Sequence, residues 1–307
     1  MSRASSPGVL GGYQEVGASR TDEAWVVRTG RPLLLWNGRT WRSQGGAEAP
    51  YLVRGHGPEE VWRFNESVEQ VTVWRWNGRR WSSLPIPEPG AHATAAVVPA
   101  KGECWAAGLR FGAQGMRDVV WHHAGGRWRT VAAPVPLTDF AAVSSSAVWA
   151  LSSYEGGPSA SILRWDGRQW APEHLPPLEF AELADIVALA EDDVWAVGAI
   201  VVRRDGVRSL REALVLHWDG TAWRRVQHRP AATGYTAAAP DGTGGLWLAT
   251  ESAEGPDTLT RHRRGAWESV ALGLPKAQVK GLANVPGSTR MWATVDADGE
   301  QVILSYK

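Results

Sequence analysis

The chain has one cysteine, Cys104, in 307 residues, so no internal disulfide framework can staple it, and a reducing compartment fits. It has no net charge, with Lys+Arg and Asp+Glu both at 32, so no global field draws it to nucleic acid or to an anionic membrane surface. No stretch approaches the roughly 18 apolar residues of a membrane helix, and Met1 to Gly12 holds one Arg and no apolar signal-peptide core. These absences predict a cytoplasmic protein that engages neither nucleic acid nor membrane. Lysine is scarce beside arginine while Ala, Gly and Pro abound, the usage of a GC-rich bacterial genome. His122, His123, His217 and His262 are scattered without a second ligand at metal spacing, and no phosphate loop or Gly-x-Ser-x-Gly elbow occurs. Neither a metal nor a cofactor is expected.

What the chain has in quantity is tryptophan: 19 residues, of which 17 fall on three positions of a pattern repeated seven times. The first position is Trp25, Trp62, Trp105, Trp149, Trp195, Trp247 and Trp292, at intervals of 37 to 52 residues. The second reads Trp36, Trp76, His123, Trp165, Trp218, His262 and Tyr306. Five residues further on stand Trp41, Trp81, Trp128, Trp170, Trp223 and Trp267. A unit of this size cannot bury its own apolar face and must stack on its neighbours, and the spacing fits four-stranded propeller blades. Residues 1–307 therefore read as one all-β domain, a seven-bladed β-propeller of four-stranded antiparallel blades. Apolar content of 44% against 21% charged supplies an ordinary core.

In the fifth copy, Asp185–Leu189 reads as an inner strand and Val194–Gly198 as the second strand. A long surface loop follows, then a third strand at Ala213–Trp218, a turn at Asp219-Gly220, and an outer strand at Trp223–Val226. Blade six has Arg263-Arg264-Gly265 at the turn, which predicts distortion there. The seventh copy lacks an outer strand. Because an open edge invites aggregation, residues near Arg3 to Ser6 are expected to complete it.

The Trp195-Ala196-Val197-Gly198 strand, followed by an aromatic turn, Trp and a Pro-terminated outer strand, resembles a Kelch or galactose-oxidase-type blade. It is closer still to the Trp-rich WAVG…HWDGxxW repeats of bacterial proteins. The family's double glycine is absent and the hairpin is shorter. The resemblance implies a seven-bladed propeller and no single activity. Cys104 stands where other copies have Val148 and Val194, a position buried by pattern, and no residues match a copper-radical ligand set.

The first residue of each predicted inner strand gives Tyr13, Tyr51, His92, Asp139, Asp185, Tyr235 and Lys280, gathered at the mouth of the central channel. Such a set suits proton transfer. Asp139 or Asp185 would be the base and Lys280 or His92 an acid or charge stabiliser. Tyr13, Tyr51 and Tyr235 would orient substrate, with Arg203 as an anion contact. The main expectation is a cofactor-independent lyase, cyclase or isomerase of specialised metabolism, acting on a small-molecule ligand at the channel mouth. The alternative is a non-catalytic ligand- or protein-binding propeller, a scaffold or lectin-like module. It would meet its partner through the variable segments Gly108 to Asp118 and Ala199 to Glu212.

Overall fold

The computed structural model describes residues 2–4, 13–28, 31–44, 50–66, 71–86, 88, 90–113, 115–153, 160–204, 207–228, 233–252 and 255–306. All regular structure among them is strand, in seven four-stranded antiparallel sheets. The inner strands are Tyr13–Arg20, Pro50–Gly55, Ala91–Ala100, Asp139–Ser144, Ala181–Ala190, Gly234–Pro240 and Ala277–Asn284. Each touches the next and the last touches the first, so the sheets form a closed ring of blades. This is a seven-bladed β-propeller. Ser2–Ala4 supplies the missing outer strand of blade 7, pairing with Glu300–Tyr306 so that Ser2 faces Ser305 and Ala4 faces Ile303. Ser5 and Ser6, included in the expected closing strand, lie outside the described residues.

The three aromatic positions of the repeat acquire a common purpose. The second-strand Trp of each blade packs against the aromatic residues of the next blade's third-strand hairpin. Trp105 lies 4.6 Å from Trp165 and 5.1 Å from Trp170, and Trp62 lies 5.0 Å from His123 and 5.8 Å from Trp128, centroid to centroid. Trp292 of blade 7 meets Trp36 and Trp41 of blade 1 at 5.1 and 5.2 Å, carrying the pattern across the seam of the ring. Edge-to-face geometry at these distances suits the indole quadrupole and adds to the burial of large apolar surfaces.

Against five of these indoles there also stands a side chain from the same blade's third strand. The Arg75, Arg164 and Arg261 guanidinium groups lie 5.6, 5.2 and 5.2 Å from the rings of Trp62, Trp149 and Trp247. His122 stacks on Trp105 at 3.9 Å and His217 on Trp195 at 4.1 Å. Four of the five also meet an acid: Glu60 with Arg75 at 2.6 Å, Glu103 with His122 and Asp193 with His217 at 2.9 Å, and Asp241 with Arg261 at 2.9 Å. These histidines serve the blade core. Burial lowers the His122 pKa while Glu103 pulls it upward. Cys104 is buried between blades 2 and 3, and burial pushes its thiol up.

Several local readings are corrected. The turn at Arg264-Gly265 is regular: both residues have positive φ, 50° and 79°, and Arg263 faces Ala266, as a tight two-residue hairpin requires. The Asp219-Gly220 turn is part of a four-residue loop, 219–222, and the loops 37–40, 77–80 and 166–169 are built in the same way. In each the Asx side chain accepts two backbone N–H groups, and only the Gly has positive φ. The expected surface loops of blades 3 and 5 are strand hairpins, Glu103–Gly112 with Gly115–Ala124 and Asp193–Arg204 with Val207–Trp218. The β-branched run through Ile200, Val201 and Val202 favours extended backbone there. Gly108 and Gly198 permit both extensions, since a Cβ at either would lie 2.0 Å from the carbonyl oxygen of His92 or Glu182 on the inner strand.

Replacing Trp292 by Ala should lower stability by about 3–5 kcal/mol, the usual range for emptying a buried aromatic site. Urea unfolding measures it; a loss below about 1 kcal/mol would show that the seam is not held by this contact.

Candidate functional site

A register shift recurs near the start of the inner strands, between Tyr13 and Glu15, Pro50 and Leu52, Ala93 and Ala95, Leu183 and Asp185, Tyr235 and Ala237, and Val279 and Gly281. Such bulges re-aim side chains and free an unpaired residue. Glu15, Leu52, Ala95, Asp185, Ala237 and Gly281, just beyond these shifts, and Asp139, the first residue of its inner strand, occupy one level, each opposite the residue two beyond its blade's second-strand Trp. Three of the seven are acids. Glu15 was not anticipated, nor was its partner Arg54 on blade 2.

Asp139 and Asp185 do come together. The Asp185 carboxyl accepts the N–H of Ile186 and, across the blade boundary, the N–H of Ala238, both at 2.8 Å. Asp139 repeats the arrangement one blade earlier, with the N–H groups of Phe140 and Ile186. Burial, then the charge of Asp139, pushes Asp185 well above the usual carboxylate range. Burial also raises Asp139, against the pull of Arg54, and the two carboxyl groups hydrogen-bond each other. Arg54 treats the opposite polarity in the same way. Its Nε donates to the Ala96 carbonyl of blade 3 at 2.8 Å, and Nη1 donates to the Val53 carbonyl at 3.0 Å and to Glu15. Inner-strand edges expose N–H and C=O groups with no further strand to pair with. Carboxyl groups satisfy the first kind and the guanidinium the second, and together they strap blades 2 to 3 and 4 to 5 to 6.

The remaining predicted residues are dispersed. Tyr51 stacks on His92 at 4.6 Å, and its hydroxyl accepts the Ala93 N–H at 3.2 Å. Tyr235 is 2% exposed in the core between blades 5 and 6, where burial raises its phenol, and its hydroxyl has no hydrogen-bond partner among the described residues. The side chains of Tyr13 and Arg203 lie outside what the structure describes; their backbones belong to Tyr13–Arg20 and Asp193–Arg204.

Lys280 faces a different feature, a cleft of about 770 Å³ between blades 6 and 7 on the loop face, lined also by Thr236, Glu251, Asp257 and Gln278. Its acids are committed. Glu251 binds Arg211 of the blade 5 hairpin at 2.6 Å, and Asp257 accepts the Val279 N–H at 2.9 Å and the Ser252 N–H at 3.3 Å. Burial raises Asp257, the two N–H groups and the Lys280 charge opposing. The Lys280 ammonium donates to the Gln278 side-chain oxygen at 2.9 Å and has no carboxylate in ion-pair range among the described residues.

The chain is similar in fold to YCF48 bound to D1 peptide, at 13% identity and a TM-score of 0.65, over 96% of this chain and 93% of that one. YCF48 from Cyanidioschyzon merolae gives 13% and 0.64 over 99% and 98%, and the WD40 β-propeller domain of Doa1 gives 10% and 0.64 over 97% and 98%. These likenesses establish the fold. No family model matches the chain, so the Kelch-type repeat is unsupported, and no curated protein matches it.

Both acids of the channel pair bind their proton more tightly in the folded than in the unfolded chain. The stabilisation this gives is complete below the ordinary carboxylate range and is lost as pH rises through the folded values. The stability deficit of Asp185→Asn against wild type should therefore shrink in urea melts as pH rises above the ordinary carboxylate range. A constant or widening deficit would rule out a raised Asp185.

Proposed function

We propose that the protein is a non-catalytic binding propeller that recognises a peptide or protein segment on its loop face, with the blade 6–7 cleft as the principal seat. One observation carries this reading: the carboxyl groups suited to acid–base chemistry are spent on backbone N–H groups of neighbouring blades, whereas the loop face keeps an open cleft lined by an ammonium whose hydrogen bond goes to the exposed Gln278 side chain. Catalysis needs a group free to reach a substrate. Binding needs a concave surface with a few placed polar groups. Loops on a rigid scaffold supply such surfaces, and the YCF48 propeller, similar in fold, has been solved with a bound peptide. The blade 5 hairpin helps to shape the cleft rim, since Arg211 ties it to Glu251 and lies 3.8 Å from Glu182.

The test is selection of linear dodecamer peptides displayed on phage against the full chain, followed by fluorescence anisotropy. Lys280→Glu should weaken the selected peptides about tenfold or more, roughly 1.4 kcal/mol, while Asp139→Asn leaves them unchanged. Retained binding in Lys280→Glu with loss in Asp139→Asn would return the site to the channel acids.

A further inference from the structure

In blades 1, 2 and 4 the third strand begins close to where the outer strand's pairing ends. Blade 3 is built differently. Its third strand, Gly115–Ala124, is paired by the outer strand Arg127–Val131 only as far as the rung Val120 to Val131. Gly115–Val119 pairs with the second strand on one side and, among the described residues, with no strand on the other. The chain leaves the sheet after Val131 through Ala132–Pro136, where Pro134 and Pro136 cannot donate to a ladder. Between the departing chain and the strand edge lies a groove of about 470 Å³, lined by Arg117, Val119, Val131, Pro134, Val135 and Pro136.

Natural edges of this kind are ordinarily shortened, bulged or covered, because an uncovered edge recruits another strand. Here the hairpin instead bears exposed apolar side chains, Phe111 at 56% and Met116 at 62%. It also carries an electrostatic mismatch. Arg110 and Arg117 stand directly opposite each other, a like-charge pair. Glu88 accepts the Thr130 hydroxyl at 2.6 Å through Oε1, while its Oε2, which has no hydrogen bond among the described residues, lies 4.0 Å from Arg110 Nη1. The Arg110 Nε is buried with no hydrogen-bond partner, and Arg117 has no partner among the described residues. Asp118, between the groove's valine and arginine, is already engaged.

We propose that this edge of blade 3 docks an extended peptide segment of a partner, running on from the line of the outer strand. Alternate apolar side chains enter the valine- and proline-lined groove, and a carboxylate faces Arg117. Main-chain pairing supplies affinity, while the groove and the arginine supply selectivity. The site rests on the protein being a binding module and is separate from the blade 6–7 cleft.

Phage-displayed linear dodecamers selected on the full chain provide the probe. Peptides bound here combine apolar residues at every second position with Asp or Glu. Arg117→Glu, an exposed change that leaves the fold intact, weakens them about tenfold or more, and changing the peptide's acid to Lys restores binding to that variant. N-methylation of alternate peptide amides abolishes it. Three outcomes overturn the proposal: binding indifferent to Arg117→Glu and to N-methylation; peptides lost only in Lys280→Glu, which leaves the cleft reading standing; or a concentration-dependent dimer of this chain, disrupted by Arg117→Glu, in place of peptide binding. Failure to select any peptide removes both readings.

Discussion

The insertion of each second-strand tryptophan into the aromatic hairpin of the following blade is the contact on which the propeller depends. A single blade has an apolar face on both sides and no means of covering either. The indole of Trp105 stacks on its own blade's His122 and meets the Trp165–Trp170 pair of blade 4, closing one face of blade 3, while the other face packs against Trp62 and its neighbours in blade 2. Repeated around the ring, this contact fixes blade-to-blade geometry well enough that inner strands can carry bulges and third strands can overrun their partners. The seam is made the same way, with Trp292 against Trp36 and Trp41, and the short Ser2–Ala4 strand then pairs with the third strand of blade 7.

Much of this was legible in the chain. Trp spacing gave the blade count because a bulky aromatic is needed once per interface, and the missing outer strand of the last copy pointed to closure by the amino terminus. The channel residues were harder to read. Taking the first residue of each inner strand mixes different levels, because the bulge shifts the register and strands begin at different heights: Ala181–Ala190 starts four residues before Asp185. A better ruler was present. Counting ten residues back from Trp25, Trp149 and Trp195 lands on Glu15, Asp139 and Asp185, because the hairpin joining the first two strands has nearly constant length. Arg54 gives no such signal, since its importance comes from the Ala96 carbonyl of another blade.

Function was less legible for a physical reason. A carboxylate that strips a proton and a carboxylate that satisfies an inner-strand N–H look identical in one sequence; only the placement of the Ile186 and Ala238 amides separates them. The hairpins of blades 3 and 5 were likewise hidden, since polar residues around Arg110 and Arg211 read as loop until their alternation is seen paired. Once the ring is rigid, those overhangs and the blade 6–7 cleft are where the blades differ most, and a binding function draws on such differences rather than on the repeat.

Native-state hydrogen exchange across a denaturant series tests the ring most directly, followed amide by amide in Glu300–Tyr306 and in the inner strands. If the aromatic insertions and the amino-terminal strand lock the seam, the last blade's slowest amides merge with the global unfolding isotherm alongside those of blades 3 to 5. Exchange of blade 7 through a separate, lower-energy opening while the other blades stay protected would contradict the account.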